Sequence, residues 1–233
     1  MAYETRGCAG SRDCVTLGVG IMTRAPSSGG KTRLAAHLSE VRLRTLRAAL
    51  LADTLQTISA VPDVDRVVFF TPADGGAEIR LLSAAPLPLV VQTGAGLGAR
   101  MHAALEHLLQ ARSCEAAILV GTDMPLLTAE HINEARDILD TFRGVVLGPT
   151  DDGGYYLIGM RAVRAELFQG VEWGTASVLA DTLSAAHRIG LEVRLMRAGY
   201  DVDTIEDLRK LERDLRKAPS DLAPRLRAWC SDG

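Results

Sequence analysis

Three aspartates stand where an α/β sheet could hold a metal ion. Asp123 comes shortly after the apolar run 116–120, and Asp201 and Asp203 come shortly before a helical pattern that starts near residue 205. A carboxylate at the carboxyl end of a strand in an open α/β sheet is placed to hold a hard cation such as Mg²⁺ against a phosphate. Aspartate is also common as a helix cap or turn residue. The spacing therefore leaves two interpretations open, a metal site of converging carboxylates and a set of local caps.

A glycine-rich loop with two cations follows the first apolar run of the chain. It consists of Gly29-Gly30-Lys31-Thr32-Arg33, and Lys31 is one of only three lysines. Glycines let a ligand approach the backbone closely, and amides at the start of a helix attract anions. Lys31 and Arg33 add positive charge for phosphates. The loop lacks the spacing of a Walker A motif, so we predict a phosphate-binding loop of another kind, with an ordinary surface loop as the alternative.

Two further loops combine glycine with charge. The turn Gly94-Ala95-Gly96-Leu97-Gly98-Ala99-Arg100 could pack against a base or a ribose, or be a plain tight turn. The run Asp151-Asp152-Gly153-Gly154 could bind a metal or accept hydrogen bonds from a substrate hydroxyl, or form an Asx turn. It leads into the apolar residues Tyr155-Tyr156-Leu157-Ile158, which favours a loop that faces a substrate. The element Trp173-Gly174-Thr175 could add a wall to the same site.

The elements that must position these loops alternate between strands and helices. Short apolar runs predict buried strands, and apolar residues at helical spacing predict amphipathic helices. This alternation is typical of βαβ units, so we predict an α/β fold, a Rossmann-like three-layer sandwich with a mostly parallel sheet. We expect a frayed tail over residues 1–14, a single domain over 15–217 and a C-terminal tail over 218–233.

Composition and charge narrow the classes of partner. The formal net charge is −3 over 233 residues, so nothing favours binding to nucleic acid or to an anionic membrane surface. No apolar run is long enough to span a membrane. The four cysteines lack metal-ligand spacing, which predicts free thiols and a cytoplasmic protein. The sequence leaves the oligomeric state open, a homo-oligomer included.

The order of these motifs resembles the bacterial DUF2064 group of the nucleotide-diphospho-sugar transferase (GT-A) superfamily. The resemblance covers about residues 15–215. The segments that carry it are Arg24-Ala25-Pro26, Lys31-Thr32-Arg33-Leu34, Gly96-Leu97-Gly98-x-Arg100-Met101, Gly121-Thr122-Asp123-x-Pro125-Leu126, Asp151-Asp152-Gly153-Gly154-Tyr155-Tyr156-Leu157-Ile158-Gly159, Trp173-Gly174-Thr175 and Asp201-Val202-Asp203-Thr204. The related enzymes are the 2-phospholactate and phosphoenolpyruvate guanylyltransferases, which share a Lys-Thr-Arg-Leu segment.

The resemblance implies a nucleotide-diphospho-sugar transferase fold that binds a nucleotide or nucleotide sugar and a small-molecule acceptor. It also implies Mg²⁺ or Mn²⁺ held by Asp123, with Asp201 or Asp203 as a further acidic ligand. With the loops above, the residues expected at the nucleotide and its phosphates are Arg24, Ala25, Lys31, Arg33, Gly96, Gly98 and Arg100. Those expected at the acceptor are Asp151, Asp152, Gly153, Gly154, Trp173 and Thr175. Catalysis is expected of Asp123, Lys31 and Asp152.

Three functions fit these residues. The leading hypothesis is a metal-dependent transferase of glycosyltransferase type that uses a nucleotide-diphospho-sugar. The first alternative is a nucleotidyltransferase of guanylyltransferase type acting on a small phosphorylated acceptor, and the second is a nucleotide-binding protein without catalysis. Two departures from the superfamily stand out. Gly-Gly-Lys-Thr-Arg replaces the Gly-x-Gly-Thr-Arg loop of sugar nucleotidyltransferases, and the Asp-x-Asp of related glycosyltransferases is reduced to Asp123.

Overall fold

A single seven-stranded sheet forms the centre of the protein. The computed structural model describes residues 16–232, and each strand in it coincides with an apolar or extended segment of the sequence. The strands are β1 (Leu17–Arg24), β2 (Val64–Thr71), β3 (Leu89–Val91), β4 (Ala116–Val120), β5 (Val145–Pro149), β6 (Tyr155–Met160) and β7 (Val193–Leu195). The predicted α/β fold with a mostly parallel sheet is confirmed.

The direction of β6 decides what lies at the functional edge of the sheet. The strand order is β3-β2-β1-β4-β6-β5-β7, and the pairs are parallel except those of β6 with β4 and β5. A parallel pair needs a long crossover, whereas antiparallel strands can be joined by a tight turn. Only the turn 150–154 separates β5 from β6, so β6 runs back beside β5. The acidic turn therefore lies at the edge where β1 and β4 end.

Helices cover both faces of this sheet. The helices are α1 (Glu40–Ala60), α2 (Gly76–Leu82), α3 (Leu97–Glu106), α4 (Ala129–Thr141), α5 (Val178–Arg188), α6 (Ile205–Lys217) and α7 (Pro224–Ser231). One face packs against α1, α2 and α4 through an apolar cluster that includes Leu55, Ile79 and Ile132. The other face packs against α3 and α5 through a cluster that includes Leu105 and Ala185. No helix within residues 16–232 is both long and apolar enough to cross a membrane.

The C-terminal segment is a packed helix rather than an aperiodic tail. Helix α7 lies in a third apolar cluster with α1 and α6. The carboxylate of Asp53 on α1 accepts hydrogen bonds from the backbone N–H groups of Arg225 (3.0 Å) and Leu226 (2.9 Å), and so caps α7 from another helix. Trp229 packs beneath the guanidinium of Arg42. Two turns are too few to show a helical period in sequence, which is why this helix was not predicted. The predicted tail over residues 1–14 lies outside the described residues.

Candidate active site

Two cavities open side by side at the carboxyl edge of the sheet. The first has a volume of about 380 Å³ and the second about 550 Å³. Asp123 and Asp203 line both, as do Thr122 and two apolar side chains, Met22 and Leu97. The loops after β1, β3 and β4 and the turn before β6 surround them. The two aspartates therefore stand on the boundary between two adjacent binding spaces.

Lys31 joins these two aspartates. Its Nζ donates to Asp203 Oδ1 at 3.0 Å and also forms an ion pair with Asp123 Oδ1. The Lys31 side chain is 4% exposed, whereas the side chains of Asp123 and Asp203 are 53% and 40% exposed. Burial alone lowers the pKa of Lys31, but the two carboxylates outweigh it and raise that pKa above its ordinary value. The ammonium is therefore a fixed positive charge at the boundary between the cavities.

Asp203 is available for Lys31 because its neighbours cap helix α6. Thr204 is the N-cap residue, and its side chain accepts from the backbone N–H of Asp207. Asp207 Oδ2 in turn accepts from the backbone N–H groups of Thr204 (2.7 Å) and Asp203 (3.1 Å). This reciprocal capping box satisfies the start of the helix. The segment therefore contains a helix cap, Thr204 with Asp207, and beside it a carboxylate, Asp203, that lines both cavities.

Asp201 is the most perturbed carboxyl group of the site. It lines the second cavity, and its Oδ1 is buried without a hydrogen-bond partner in the described part of the chain. Burial, followed by the negative charge of Asp123, raises the pKa of Asp201 to about 7. A buried acceptor without a donor is costly. Asp201 Oδ1 would therefore be stabilised by a cation or a proton bound beside Asp203.

The carboxylates do not form a closed metal cage by themselves. Across residues 16–232, no three His, Cys, Asp or Glu side chains are grouped closely enough to make a ready metal site, and an ammonium already bridges Asp123 and Asp203. The set still fits a hard divalent cation, because such ions prefer oxygen ligands and take several from waters or substrate phosphates. The unpartnered Asp201 Oδ1 is the observation that supports this fit.

The first cavity has the character of an anion site. Arg24 and Arg100 line it together with Lys31, and neither guanidinium takes part in an ion pair in the described structure. Arg47 on α1 also reaches this cavity, where its Nε donates to Pro26 O at 2.8 Å and its Nη1 to Gly30 O at 3.0 Å. Arg47 therefore holds the glycine loop in place, while the other two arginines are available for a phosphate.

The second cavity combines acidic, aromatic and apolar walls. Asp152, Gly154, Trp173 and Thr175, four of the residues expected at an acceptor, all line this cavity. Arg33 lies here as well, and not in the first cavity where it was expected with the phosphates. Lys31 adopts a left-handed backbone conformation with φ of 59°. The chain turns there, so the next charged side chain of the loop projects to the other side.

The paired acids of the turn 150–154 have separate roles. Asp152 lines the second cavity, and its Oδ1 accepts from the hydroxyl of Thr150 (2.6 Å) and the N–H of Gly154 (3.0 Å). Asp151 was expected at the acceptor too, but it does not line either cavity, and its Oδ2 pairs with Lys210 on α6 at 2.9 Å. Asp151 therefore fastens the turn to a helix, and Asp152 faces the second cavity.

Four small residues predicted for the site, Ala25, Gly96, Gly98 and Gly153, line neither cavity. A Cβ on Gly98 would lie 2.7 Å from the Nε1 of Trp173, and one on Gly153 would overlap the carbonyl oxygen of Ala176. These two glycines let the walls of the second cavity close on each other. Ala25 is buried, with its N–H bonded to Thr71 O at 2.8 Å.

Sequence reasoning missed Arg47 and Gln92, which line the first cavity. Arg47 was hidden among the polar positions of a helical pattern, and Gln92 is a single polar residue at the end of an apolar run. The position of Gln92, immediately before the glycine turn that begins at Thr93, is the one signal that could have singled it out. The contacts of both residues are long-range, and no spacing in the sequence encodes them.

Comparison with known proteins identifies the family. A family model described as an uncharacterized protein conserved in bacteria, DUF2064, matches residues 54–175. The chain belongs to this family. A phosphoenolpyruvate guanylyltransferase from Roseiflexus sp. (strain RS-1) is 30% identical over 181 residues, which cover 76% of this chain and 77% of the relative. A 3-phospho-D-glycerate guanylyltransferase from Phenylobacterium zucineum (strain HLK1) is 30% identical over 212 residues, covering 86% and 94%.

A solved structure extends this relationship to the whole fold. A protein of Desulfovibrio desulfuricans G20, provisionally named a nucleotide-diphospho-sugar transferase, superposes with a TM-score of 0.82 at 27% identity, covering 91% of this chain and 94% of its own. The predicted resemblance to DUF2064 and to the guanylyltransferases is confirmed. Family, relatives and fold together make the DUF2064 chain a transferase of the nucleotide-transferring kind, so the hypothesis of a binding protein without catalysis is set aside.

Proposed function

We propose that the protein is a nucleotidyltransferase that joins a nucleoside triphosphate to a small phosphorylated acceptor. The observation that supports this best is the pair of cavities that meet at Asp123 and Asp203. Substrates bound on either side would bring their reacting groups together beside Lys31. The relatives named as guanylyltransferases of phosphoenolpyruvate and 3-phospho-D-glycerate support GTP as donor and a phosphorylated carboxylate as acceptor.

The first cavity supplies the cations that a triphosphate needs. Lys31, Arg24 and Arg100 bind phosphate oxygens through charge-assisted hydrogen bonds. An oxygen of the acceptor phosphate attacks the α-phosphorus. A new P–O bond forms there while the bond from the α-phosphorus to the β-bridging oxygen breaks, and pyrophosphate leaves. The ammonium of Lys31, beside Asp123 and Asp203, can stabilise the negative charge that develops on the phosphates.

The carboxylates beside Lys31 fit a divalent cation as a further component. Asp123 and Asp203, with the unpartnered oxygen of Asp201, would hold Mg²⁺ or Mn²⁺. Such an ion supplies positive charge to the phosphates and to the leaving group. It would also meet the demand left by the buried Asp201 Oδ1.

The second cavity receives the acceptor in this proposal. Arg33 provides positive charge for an anionic group, and Asp152 presents a carboxylate to a hydroxyl or an amine. Trp173 forms an aromatic wall between Tyr155 and Phe168, with ring centroids 6.4 Å from each. This wall excludes water from one side of the acceptor.

Glycosyl transfer from a nucleotide sugar is the second candidate. The second cavity supports it, because about 550 Å³ is more space than a three-carbon phosphorylated acid needs, and because aromatic and acidic walls suit a sugar. Against it, the position two residues after Asp123 is Pro125, and the residue between them is the buried Met124. The site therefore offers a single acid where the related glycosyltransferases carry two.

Product analysis separates the two candidates. The protein is incubated with Mg²⁺ and GTP in the presence of phosphoenolpyruvate or 3-phospho-D-glycerate, and pyrophosphate is measured. Acceptor-dependent release of pyrophosphate is the expected result. Release of a nucleoside diphosphate from a nucleotide sugar, with no pyrophosphate from any nucleoside triphosphate, would replace this proposal by glycosyl transfer. Asp123→Asn should abolish activity, and Asp137→Asn, an exposed aspartate of α4, should leave it unchanged.

A further inference from the structure

Glu78 on α2 accepts four hydrogen bonds, although it lines neither cavity. Its Oε2 accepts from the backbone N–H of Ser27 at 3.1 Å and from the Ser27 hydroxyl at 2.6 Å. Its Oε1 accepts from Nε and Nη2 of Arg44 on α1, at 3.1 and 2.8 Å. Ser27 stands two residues before the glycine-rich loop 29–33. One carboxylate therefore ties the segment that enters this loop to both α1 and α2.

A carboxylate is the side-chain group that suits this position. The atoms around it are N–H and O–H donors, and an ionised carboxylate has two oxygens that only accept. Burial raises the pKa of Glu78, but the hydrogen bonds from Ser27 and then those from Arg44 outweigh it and lower that pKa below its ordinary value. Glu78 is therefore charged at neutral pH and available to all four donors.

The glycine-rich loop needs such bonds because little packs against it. Among the described residues, a Cβ on Gly29 would meet no atom within 4 Å, and one on Gly30 would meet the Cδ of Arg47 at 3.9 Å. Gly29, Gly30 and Lys31 have φ of 83°, 113° and 59°, and all three line the first cavity. Glycine has the widest backbone freedom of any residue. Hydrogen bonds to neighbouring helices, rather than packing, therefore position this loop.

We propose that Glu78 is a positioning residue for the nucleotide phosphates, which it does not touch. The inference rests on the proposed nucleotidyl transfer and adds a residue that orders the phosphate loop. Glu78 fixes the chain before the loop through Ser27, and Arg47 fixes the loop itself through Gly30 O at 3.0 Å. A loop that is ordered before the nucleotide binds loses less conformational freedom on binding.

Hydrogen–deuterium exchange tests the anchor without a nucleotide. Two amides report on the region, those of Ser28, bonded to Ala25 O at 2.8 Å, and Leu34, bonded to Lys31 O at 3.0 Å. Glu78→Met keeps a long side chain but removes the carboxylate, so both amides should exchange several-fold faster while those of α5 stay unchanged. Unchanged exchange over residues 28–34 would overturn the role of Glu78. A rise that is equally large in α5 would show a global effect and would also overturn it.

Calorimetry connects the anchor to nucleotide affinity. In Glu78→Met, the dissociation constant for GTP in Mg²⁺ buffer should rise about 5- to 30-fold, the factor for ordering one further backbone residue on binding. Glu78→Gln retains an oxygen for Ser27 and should stay close to the unaltered protein. Glu212→Met, at an exposed position of α6, is the matched control and should also bind GTP normally. Calorimetry counts sites separately from affinity, so misfolded protein lowers only the number of sites.

The outcomes distinguish this inference from the proposed function. Equal affinity of Glu78→Met and the unaltered protein for GTP would overturn the positioning role. An equal loss in Glu78→Gln and Glu78→Met would assign the effect to the charge of Glu78 and overturn the anchor through Ser27. No binding of GTP to the unaltered protein would overturn the proposed function, and the exchange experiment would still decide whether Glu78 orders the loop.

Discussion

Lys31 Nζ lies 3.0 Å from Asp203 Oδ1 and is also paired with Asp123. The two carboxylates come from the end of β4 and from the segment before α6, and the ammonium comes from the loop after β1. One buried cation thus connects three distant parts of the chain at the boundary between two cavities. A substrate phosphate would use the same ammonium, and a divalent cation would use the same carboxylates.

Removing this ammonium should change two affinities in opposite directions. In Lys31→Met, the nucleotide loses a charge-assisted hydrogen bond, so we expect its dissociation constant to rise by about 10- to 100-fold. Mn²⁺ alone should bind more tightly than to the unaltered protein, because no ammonium competes for the carboxylate oxygens. Calorimetry with GTP and with Mn²⁺ separately measures both. Lys217→Met, at the exposed end of α6, is the control, and weaker binding of Mn²⁺ to Lys31→Met would contradict the shared-oxygen arrangement.

Substitutions of the adjacent acids Asp151 and Asp152 should have different effects on the kinetics. Asp151→Ala removes an exposed pair with Lys210, which typically contributes about 1 kcal/mol or less, so activity and stability should change little. Asp152→Asn retains an oxygen for the N–H of Gly154 but removes the charge that faces the second cavity. We expect KM for the acceptor to rise several-fold and KM for GTP to stay constant. If Asp151→Ala gave the larger effect on the acceptor, the assignment of the two residues would be reversed.

The contact between Gly98 and Trp173 should be sensitive to a single methyl group. In Gly98→Ala the new Cβ would lie 2.7 Å from the indole Nε1, and a rigid ring can only move as a whole. Overpacking of this kind costs about 1–3 kcal/mol, which exceeds the roughly 1 kcal/mol that alanine contributes over glycine in a helix. Urea denaturation should show a net loss of stability. Gly121→Ala, where nothing lies within 4 Å of the new Cβ, should be close to neutral.

His131 should make the fold sensitive to mild acid. It is buried at the start of α4, where its Nδ1 accepts from the N–H of Thr128 at 3.2 Å. Burial, and then the charge of Arg197, lowers the pKa of His131. The unfolded chain then binds a proton more readily, so this contribution to stability is complete above about pH 6.5 and is lost as the pH falls below it.

A glutamine variant isolates this contribution. His131→Gln keeps an acceptor for the N–H of Thr128, as in an ordinary capping box, but it does not titrate. Between pH 7.5 and 5.5, Tm should fall less in the variant than in the unaltered protein, while the other titrating groups contribute equally to both. Parallel Tm curves would show that His131 has no such role.

The sequence by itself determined most of the strands and helices and the edge of the sheet at which the candidate site residues lie. Apolar runs of the right length located β1, β4 and β5, and the capping pattern at Thr204 located the start of α6, because these features depend on neighbours along the chain. The resemblance in motif order added the family, which the DUF2064 match confirms. The same local logic failed at α7, which is too short to show a helical period and is held by Asp53 from a distant helix.

Only the tertiary structure shows which contacts each of those residues makes. Asp151 and Asp152 are identical in type and adjacent in sequence, and the packing of α6 against the turn assigns one to Lys210 and the other to the cavity. The side chains of Arg47 and Gln92 donate hydrogen bonds to backbone carbonyls of other elements. The ion pair of Lys31 with Asp203 joins residues that are 172 positions apart. Spacing along the chain carries no information about such contacts, because they exist only once the strands are paired and the helices packed.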